Sequence, residues 1–190
     1  MAVELAAAFA VGLVVFLFMF LVVVTYNSIV ALDERTQRAW ANVDVALRQR
    51  HDELPNLVAA VRDVLAFEQG VLERVTSLRA AYRRDAPMGR QAATAQAMTG
   101  AVKQLLAVVE QYPTLRSQEN VRALQTEIER LEGVISDRRE LYNDSVYRYN
   151  ARIGQVPAVL LTWVFEWQPR LFFEAEPGDA EVPDATLRTA

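Results

Sequence analysis

The feature that most constrains this chain is an uncharged stretch of twenty residues from Leu5 to Val24. It contains no proline and a single glycine, Gly12. A helix rises about 1.5 Å per residue, so this stretch would span roughly 30 Å, the hydrocarbon thickness of a bilayer. Because a lone segment in lipid must pair its own backbone polar groups, the stretch is predicted to form a transmembrane helix.

The flanks of this stretch favour an uncleaved anchor over a cleaved signal peptide, which would carry a basic segment before its apolar core and a small-residue cleavage site after it. Here Glu4 precedes the core without any Lys or Arg, and Val22–Tyr26 contains no Ala-x-Ala site. The first basic residues after the core are Arg35, Arg38, Arg48 and Arg50. Because positive flanks stay in the cytoplasm, we expect a single-pass protein of the inner (cytoplasmic) cell membrane with a cytoplasmic C-terminal domain.

Composition excludes several classes of function. The chain of 190 residues has no cysteine, which removes disulfides, thiolate nucleophiles and cysteine-ligated metals. The net charge is −4, from 20 basic and 24 acidic residues, so nucleic acid is not an expected partner. The seven glycines stand singly along the chain and form no phosphate-binding loop.

Few catalytic candidates remain. His51 is the only histidine, and it is interpreted as an ordinary residue of a predicted turn. One histidine cannot supply the two Glu-x-x-His motifs of di-iron helical bundles. The carboxylates are typical of solvated helix faces, although an all-carboxylate magnesium or calcium site stays open. The sequence therefore predicts no enzyme, no cofactor and no metal site.

Beyond the anchor, apolar residues recur at three- and four-residue steps, which is typical of amphipathic helices. Helices are predicted over Tyr26–Glu53, Pro55–Arg84, Gln91–Gln111 and Ser117–Ile153. Pro55 either starts the second helix after a tight turn at 52–54 or kinks one long helix. Pro113 is expected to end the third helix, and Ser117 to cap the fourth. The residues alone leave open whether this all-α chain forms a compact bundle or a long kinked hairpin.

An apolar, aromatic segment follows at 158–173, too short and too interrupted to span a bilayer. Its candidate membrane-interface residues are Trp163, Phe165, Trp167, Phe172 and Phe173. If the fourth helix returns to the membrane, these side chains reach the bilayer surface, which favours tryptophan. The alternative is that they cap the core of the helical domain. The last residues, 175–190, are rich in acidic residues and proline and are predicted to be a disordered tail.

Several local motifs are more specific than amphipathic helices require. They are Tyr26-Asn27, Trp40 with Asp44, Pro55-Asn56, Tyr112-Pro113, Tyr142-Asn143 and Tyr149-Asn150. In this order they closely resemble the LemA family of bacterial single-span membrane proteins, from Tyr26 to about Glu174. The chain departs from the family pattern at Val156-Pro157, where Phe-Pro is common, and in its acidic tail.

The resemblance implies an antiparallel four-helix bundle behind an N-terminal transmembrane helix. The expected domains are the anchor over 1–25, a LemA-like helical bundle over 26–156, the aromatic segment over 157–174 and the tail over 175–190. The family has no established biochemical activity, so the resemblance implies architecture more than function.

The repeated Tyr-Asn pairs have two interpretations. Tyr142 and Tyr149, like Asn143 and Asn150, are seven residues apart and therefore lie on one helix face. Their side chains can cross-link helices by hydrogen bonds and fix the register of a bundle. The alternative is that this face binds a partner.

These observations predict a non-enzymatic, single-pass membrane scaffold or interaction protein that self-associates. The alternative function is a membrane-remodelling or lipid-surface-binding module built on the aromatic segment. The expected partners are the lipid bilayer and further copies of the chain, with other membrane proteins as additional candidates.

Overall fold

The computed structural model describes residues 1–62, 69–83 and 85–173, without the side chain of Arg116. Over these residues the chain is all-α, with no strand. The helices are α1 (Ala2–Val61), α2 (Gln69–Ala81), α3 (Met88–Glu110), α4 (Pro113–Arg116), α5 (Glu119–Ile153) and α6 (Ala158–Phe165). The predicted disordered tail, 175–190, lies outside the described residues.

Helix α1 continues through Pro55 to Val61, so the predicted turn at 52–54 is wrong and the one-long-helix alternative describes this region. A proline inside a helix leaves the carbonyl four residues earlier without its usual N–H donor. That carbonyl belongs to His51, and Arg79 Nε donates to it over 3.3 Å. The same continuity places His51 within a helix and not in a turn.

Of the predicted second helix, Pro55–Arg84, the described residues are helical at 55–61, as the end of α1, and at 69–81, as α2. The short helix α4, which Pro113 begins, was not predicted, and the long fourth helix begins at Glu119, two residues after the predicted start at Ser117. Ser117 closes α4, and its hydroxyl donates to the Thr114 carbonyl over 2.9 Å. The long helix α5 then begins at Glu119 and ends at Ile153, where the sequence predicted its end.

The described chain divides into two compact units. Unit 1 comprises 1–41 and 141–171, and unit 2 comprises the described residues of 42–140 together with 172–173. Within unit 1, α1 and α5 run antiparallel, because Trp40 contacts Tyr142 while Ile29 packs with Ile153 further along α5. Thr36 lies between these contacts, and its hydroxyl donates to the Ser145 carbonyl over 3.3 Å.

Unit 2 has its own hydrophobic core, to which five helices contribute. Its largest fully buried side chains are Leu54, Leu57 and Val61 of α1, Leu105 of α3, Leu115 of α4, and Ile128 and Leu131 of α5. Leu72 and Val75 of α2 pack into the same cluster. The segments of α1 and α5 in this unit are antiparallel as well, since Arg138 donates to the Asn42 carbonyl over 2.7 Å and Arg50 pairs with Glu132.

Candidate functional site

The candidate site lies in unit 1, where α5 holds a chain segment that has no regular secondary structure. This segment, residues 166–171, follows α6 and is called the return segment below. Asn150 Nδ2 donates to the Arg170 carbonyl over 2.9 Å, and Asn150 Oδ1 accepts the Arg170 N–H over 2.8 Å. Tyr142 donates its hydroxyl to the Leu171 carbonyl over 2.8 Å. Two members of the repeated Tyr-Asn pairs therefore bind the backbone of the return segment.

The side chain of Arg170 extends these contacts to α1. Its Nε donates to Asp33 Oδ1 over 2.9 Å and its second nitrogen to Asp33 Oδ2 over 3.0 Å. The two-point geometry is the favoured one between a guanidinium and a carboxylate. The Arg170 guanidinium also lies 6.0 Å from the centre of the Tyr149 ring, within the range of a cation–π contact.

The two tyrosines of this site are neutral phenols at physiological pH, and burial raises the pKa of each. Burial raises the pKa of the Tyr142 phenol, and the positive charge of Arg170 opposes that rise. Burial also raises the pKa of Tyr149, which Asp33 raises further and Arg170 lowers. At physiological pH Tyr142 therefore keeps the proton that it donates to Leu171.

An aromatic cluster lies beside these contacts. The Tyr26 ring is 5.0 Å from the Phe165 ring and 6.1 Å from the Trp167 ring, centre to centre. Phe165 and Trp167 stack on each other at 5.0 Å, with 23° between their planes. The motif residue next to the anchor is thus joined to the aromatic segment. Trp40 makes a separate edge contact with Tyr142 at 5.4 Å.

The same region of unit 1 contains a half-open groove of about 540 Å³. Its walls include Asp33 and Glu34 of α1, Tyr149 of α5, and Trp167 and Arg170 of the return segment. Carboxylates, aromatic faces and one guanidinium therefore meet there. Within 1–62, 69–83 and 85–173, no group of three His, Asp or Glu side chains is placed to hold a metal ion.

The aromatic candidates for the membrane interface are exposed to different degrees. Trp163 is 88% exposed and Phe172 is 48% exposed. Phe165 is 37% exposed, and Trp167 is partly buried against the cluster around Ile29. In unit 2, Phe173 is buried, and the Arg139 guanidinium lies 4.4 Å above its ring.

The other predicted motif residues are not gathered at this site. Asn27 is exposed on α1 and Asn143 is partly buried on α5. The members in unit 2 are Asp44, Pro55, Asn56, Tyr112 and Pro113. Asn56 donates to Glu53 one helical turn before it, over 3.2 Å, and Tyr112 packs against the core of unit 2.

Asp44 in unit 2 links α1 to Tyr82, the residue that follows α2. Its carboxylate accepts the Tyr82 hydroxyl over 3.0 Å and also pairs with Arg48. The Tyr82 ring in turn lies 5.6 Å from the ring of His51.

Sequence reasoning missed the buried ion pair of unit 2. Arg50 is only 3% exposed, and it donates to Glu132 Oε1 over 2.8 Å and to the Ala95 carbonyl over 3.0 Å. Its third partner is the Thr99 hydroxyl at 2.7 Å, which itself donates to Glu132. A signal was present, because Arg50 falls three residues after Leu47 on the apolar stripe of α1, where an exposed arginine is not expected.

Comparison with known proteins gives one family and a set of relatives. The model of the LemA family matches residues 39–186, so the resemblance predicted from the motifs is confirmed. Magnetosome protein MamQ 2 of Paramagnetospirillum magneticum is 26% identical over 184 residues, covering 83% of this chain and 68% of the relative. Magnetosome protein MamQ 1 of the same organism gives the same values. Magnetosome protein MamQ of Magnetospirillum gryphiswaldense is 24% identical over the same length, with the same coverage.

Proposed function

This chain belongs to the LemA family, and from that premise we propose that it is a non-enzymatic scaffold held in the cell membrane by a single helix. One observation carries the proposal. The apolar part of α1 is long enough and apolar enough to cross a membrane. Its most apolar stretch of 18 residues is 0% buried by the rest of the chain. In water this surface would oppose solubility, so a bilayer is its natural environment.

The domain behind this anchor is proposed to be an antiparallel four-helix bundle. Support comes from unit 2, where the core draws its buried side chains chiefly from α1, α2, α3 and α5. The proposed extent of the bundle is 26–156, with the aromatic segment 157–174 packed against it or against the membrane. The Tyr-Asn pair at Tyr149-Asn150 supports such packing, because it binds the return segment.

We place the helical domain in the cytoplasm, with the anchor as the only crossing. Support comes from the arginines that follow the span, which begin with Arg35 and Arg38.

Self-association is proposed to occur through the anchor. The Tyr-Asn face of α5 is an unsuitable docking surface, since Tyr142 and Asn150 already bond to the return segment of their own chain. The uncovered side chains of the span are free to contact a second copy within the bilayer. Helices in lipid associate by close van der Waals packing, so this contact needs no polar group.

The test is the mass of full-length protein in nanodiscs, combined with chemical crosslinking in native membranes. We expect dimers or larger assemblies that persist when the lipid-to-protein ratio is raised several-fold. An unrelated single-span protein at the same density is the control for random encounters. Monomers alone in both experiments, with no partner captured, would contradict the scaffold proposal.

A further inference from the structure

Helix α6 lies close to Tyr26, just beyond the uncharged stretch of α1, because Phe165 at its end contacts the Tyr26 ring. Helix α5 runs back along α1 until Ile153 packs with Ile29, and α6 follows after a short connection. The return segment then runs in the opposite direction along α1, because Trp167 contacts Tyr26 whereas Arg170 pairs with Asp33. The chain therefore reverses at α6, next to the place where the anchor ends.

The two sides of α6 differ in burial. Ala158 on the inner side is fully buried, and the Thr162 hydroxyl donates to the Ile153 carbonyl over 3.2 Å. The outer face of α6 consists of Leu160, Trp163 and Val164, which are 72%, 88% and 61% exposed. These positions follow i, i+3 and i+4 spacing, so the three side chains project on one side of the helix.

We propose that the outer face of α6 inserts into the headgroup–acyl boundary of the leaflet from which α1 emerges. This inference depends on the proposed membrane anchoring and adds a second, peripheral contact with lipid. Lipid is the expected partner of this face because α6 lies directly beside the end of the proposed membrane span. Phe165, at the end of α6, contacts Tyr26, which is two residues beyond the last residue of the uncharged stretch, Val24.

Charge decides which kind of lipid contact this is. The ten residues from Val156 to Phe165 include no charged side chain. The contact is therefore driven by burial of apolar surface and not by attraction to anionic headgroups. Its strength is expected to be the same on zwitterionic and on anionic membranes, and to change little with salt.

The two tryptophans of the aromatic segment have different environments in this proposal. Trp163 enters the lipid, since it is the most exposed of the aromatic side chains there. Trp167 stays with the protein, because it stacks on Phe165 and packs beside Ile29. The apolar face of an interfacial helix lies about 5–10 Å below the membrane surface. Quenching of tryptophan fluorescence can measure whether Trp163 reaches that depth.

The experiment uses the full-length chain at one copy per nanodisc, in phosphatidylcholine brominated near the headgroup end of its acyl chains. The variant Trp40→Phe with Trp167→Phe leaves Trp163 as the only tryptophan. The matched control, Trp163→Phe with Trp167→Phe, leaves Trp40. Since Trp40 follows Val24 by sixteen helical residues, it lies about 24 Å from the end of the span, beyond the reach of the bromines.

We expect bromine to lower the emission of Trp163 several-fold and to leave the emission of Trp40 unchanged. Iodide, which stays in the water, should quench the emission of Trp40 more than that of Trp163. The same quenching should be found when a brominated anionic lipid replaces the zwitterionic one.

Three outcomes would overturn the inference. In the first, the protein enters the discs, but Trp163 is quenched by iodide and not by bromine. This result would mean that the anchor is present and that α6 has no contact with lipid. Discs loaded with two copies are measured in parallel, and protection of Trp163 from both quenchers in the two-copy discs alone would assign the outer face of α6 to a second chain. Failure of the protein to enter discs at all removes the anchoring proposal together with this one.

Discussion

Asn150 on α5 and Arg170 in the return segment form a closed pair of hydrogen bonds, in which the asparagine amide donates to the Arg170 carbonyl and accepts the Arg170 N–H. One side chain thus satisfies both backbone polar groups of a residue outside regular secondary structure. A backbone group in such a segment needs a partner from elsewhere or from water. The finding gives the Tyr-Asn repeat of α5 a concrete role within the chain.

Replacing Asn150 with alanine should loosen the return segment while leaving α5 helical. Two hydrogen bonds are lost at a partly exposed position, so the expected cost is about 1 kcal/mol of unfolding free energy. Hydrogen exchange over 166–171 should accelerate several-fold, and Trp167 emission should shift to longer wavelength.

The control for this substitution is Asn27→Ala, which changes the asparagine of another Tyr-Asn pair at an exposed helical position of the same unit. It gives the same gain in helix propensity without touching the return segment. Equal exchange rates over 166–171 in both variants would contradict the role assigned to Asn150.

The buried ion pair between Arg50 and Glu132 predicts strong non-additivity. Arg50→Met leaves the Glu132 carboxylate, whose side chain is 16% exposed, without its cation. Breaking a buried pair in this way typically costs about 3–5 kcal/mol, whereas replacing both partners with apolar residues costs much less. Denaturant unfolding should therefore show that Arg50→Met with Glu132→Leu is more stable than Arg50→Met alone.

The matched comparison is the exposed pair of Arg130 and Glu127 on α5. Substituting Arg130 with methionine should change the unfolding midpoint little, since exposed pairs contribute little to stability. Additive effects at Arg50 and Glu132, or a double variant less stable than both single variants, would show that the pair does not act as a unit.

The parts of the fold that the sequence predicted are those governed by local periodicity. The uncharged stretch is long and regular, and so are the three- and four-residue steps between apolar residues of α5. The sequence therefore predicted a helix at the start of α1 and the end of α5 at Ile153. Pro55 is a local signal for a helix end, yet α1 continues through it. The carbonyl that the proline leaves without its usual donor accepts a hydrogen bond from Arg79, which is far along the chain. Rules based on neighbouring residues cannot predict a hydrogen bond between residues so far apart in the chain.

The candidate site was half predictable for the same reason. The motif pattern marked Tyr142 and Asn150, but their partners lie in a segment without periodicity, more than one helix away. We expected these side chains to link helices by hydrogen bonds. The hydrogen bonds described above go to the return segment, while the Tyr142 ring also contacts Trp40 of α1. Arg50 was identifiable in principle from its place on an apolar stripe, although its partners Thr99 and Glu132 could not be read from the sequence.

The ion pair of Asp33 with Arg170 should depend on geometry as well as on charge. Arg170→Lys keeps the charge but loses the two-point contact with the carboxylate and the stacking near Tyr149. Both partners are partly exposed, so the expected loss is below about 1 kcal/mol. Hydrogen exchange of the return segment should rank the native chain first, Arg170→Lys second and Arg170→Ala last. A lysine variant indistinguishable from the native chain would show that charge alone matters.

The raised pKa values of Tyr142 and Tyr149 predict that the protein loses stability in alkali. In the unfolded chain a tyrosine releases its proton near its ordinary pKa of about 10, while burial delays that release in the folded chain. Above pH 10 the unfolded state therefore binds fewer protons, and the free energy of unfolding falls as pH rises. Below the ordinary pKa the stabilising contribution of the two buried phenols is complete.

Denaturant unfolding in mildly alkaline buffers, from about pH 9 to pH 11, tests this dependence. Replacing Tyr142 and Tyr149 with phenylalanine should flatten the decline, because the groups that titrate differently in the two states are gone. Tyr147→Phe is the control, since this tyrosine is 65% exposed on the same helix and its removal should leave the decline as in the native chain. The double variant also loses the hydrogen bond to Leu171, which lowers stability at every pH but does not change the slope. An unchanged slope in the double variant would mean that other groups cause the alkaline loss.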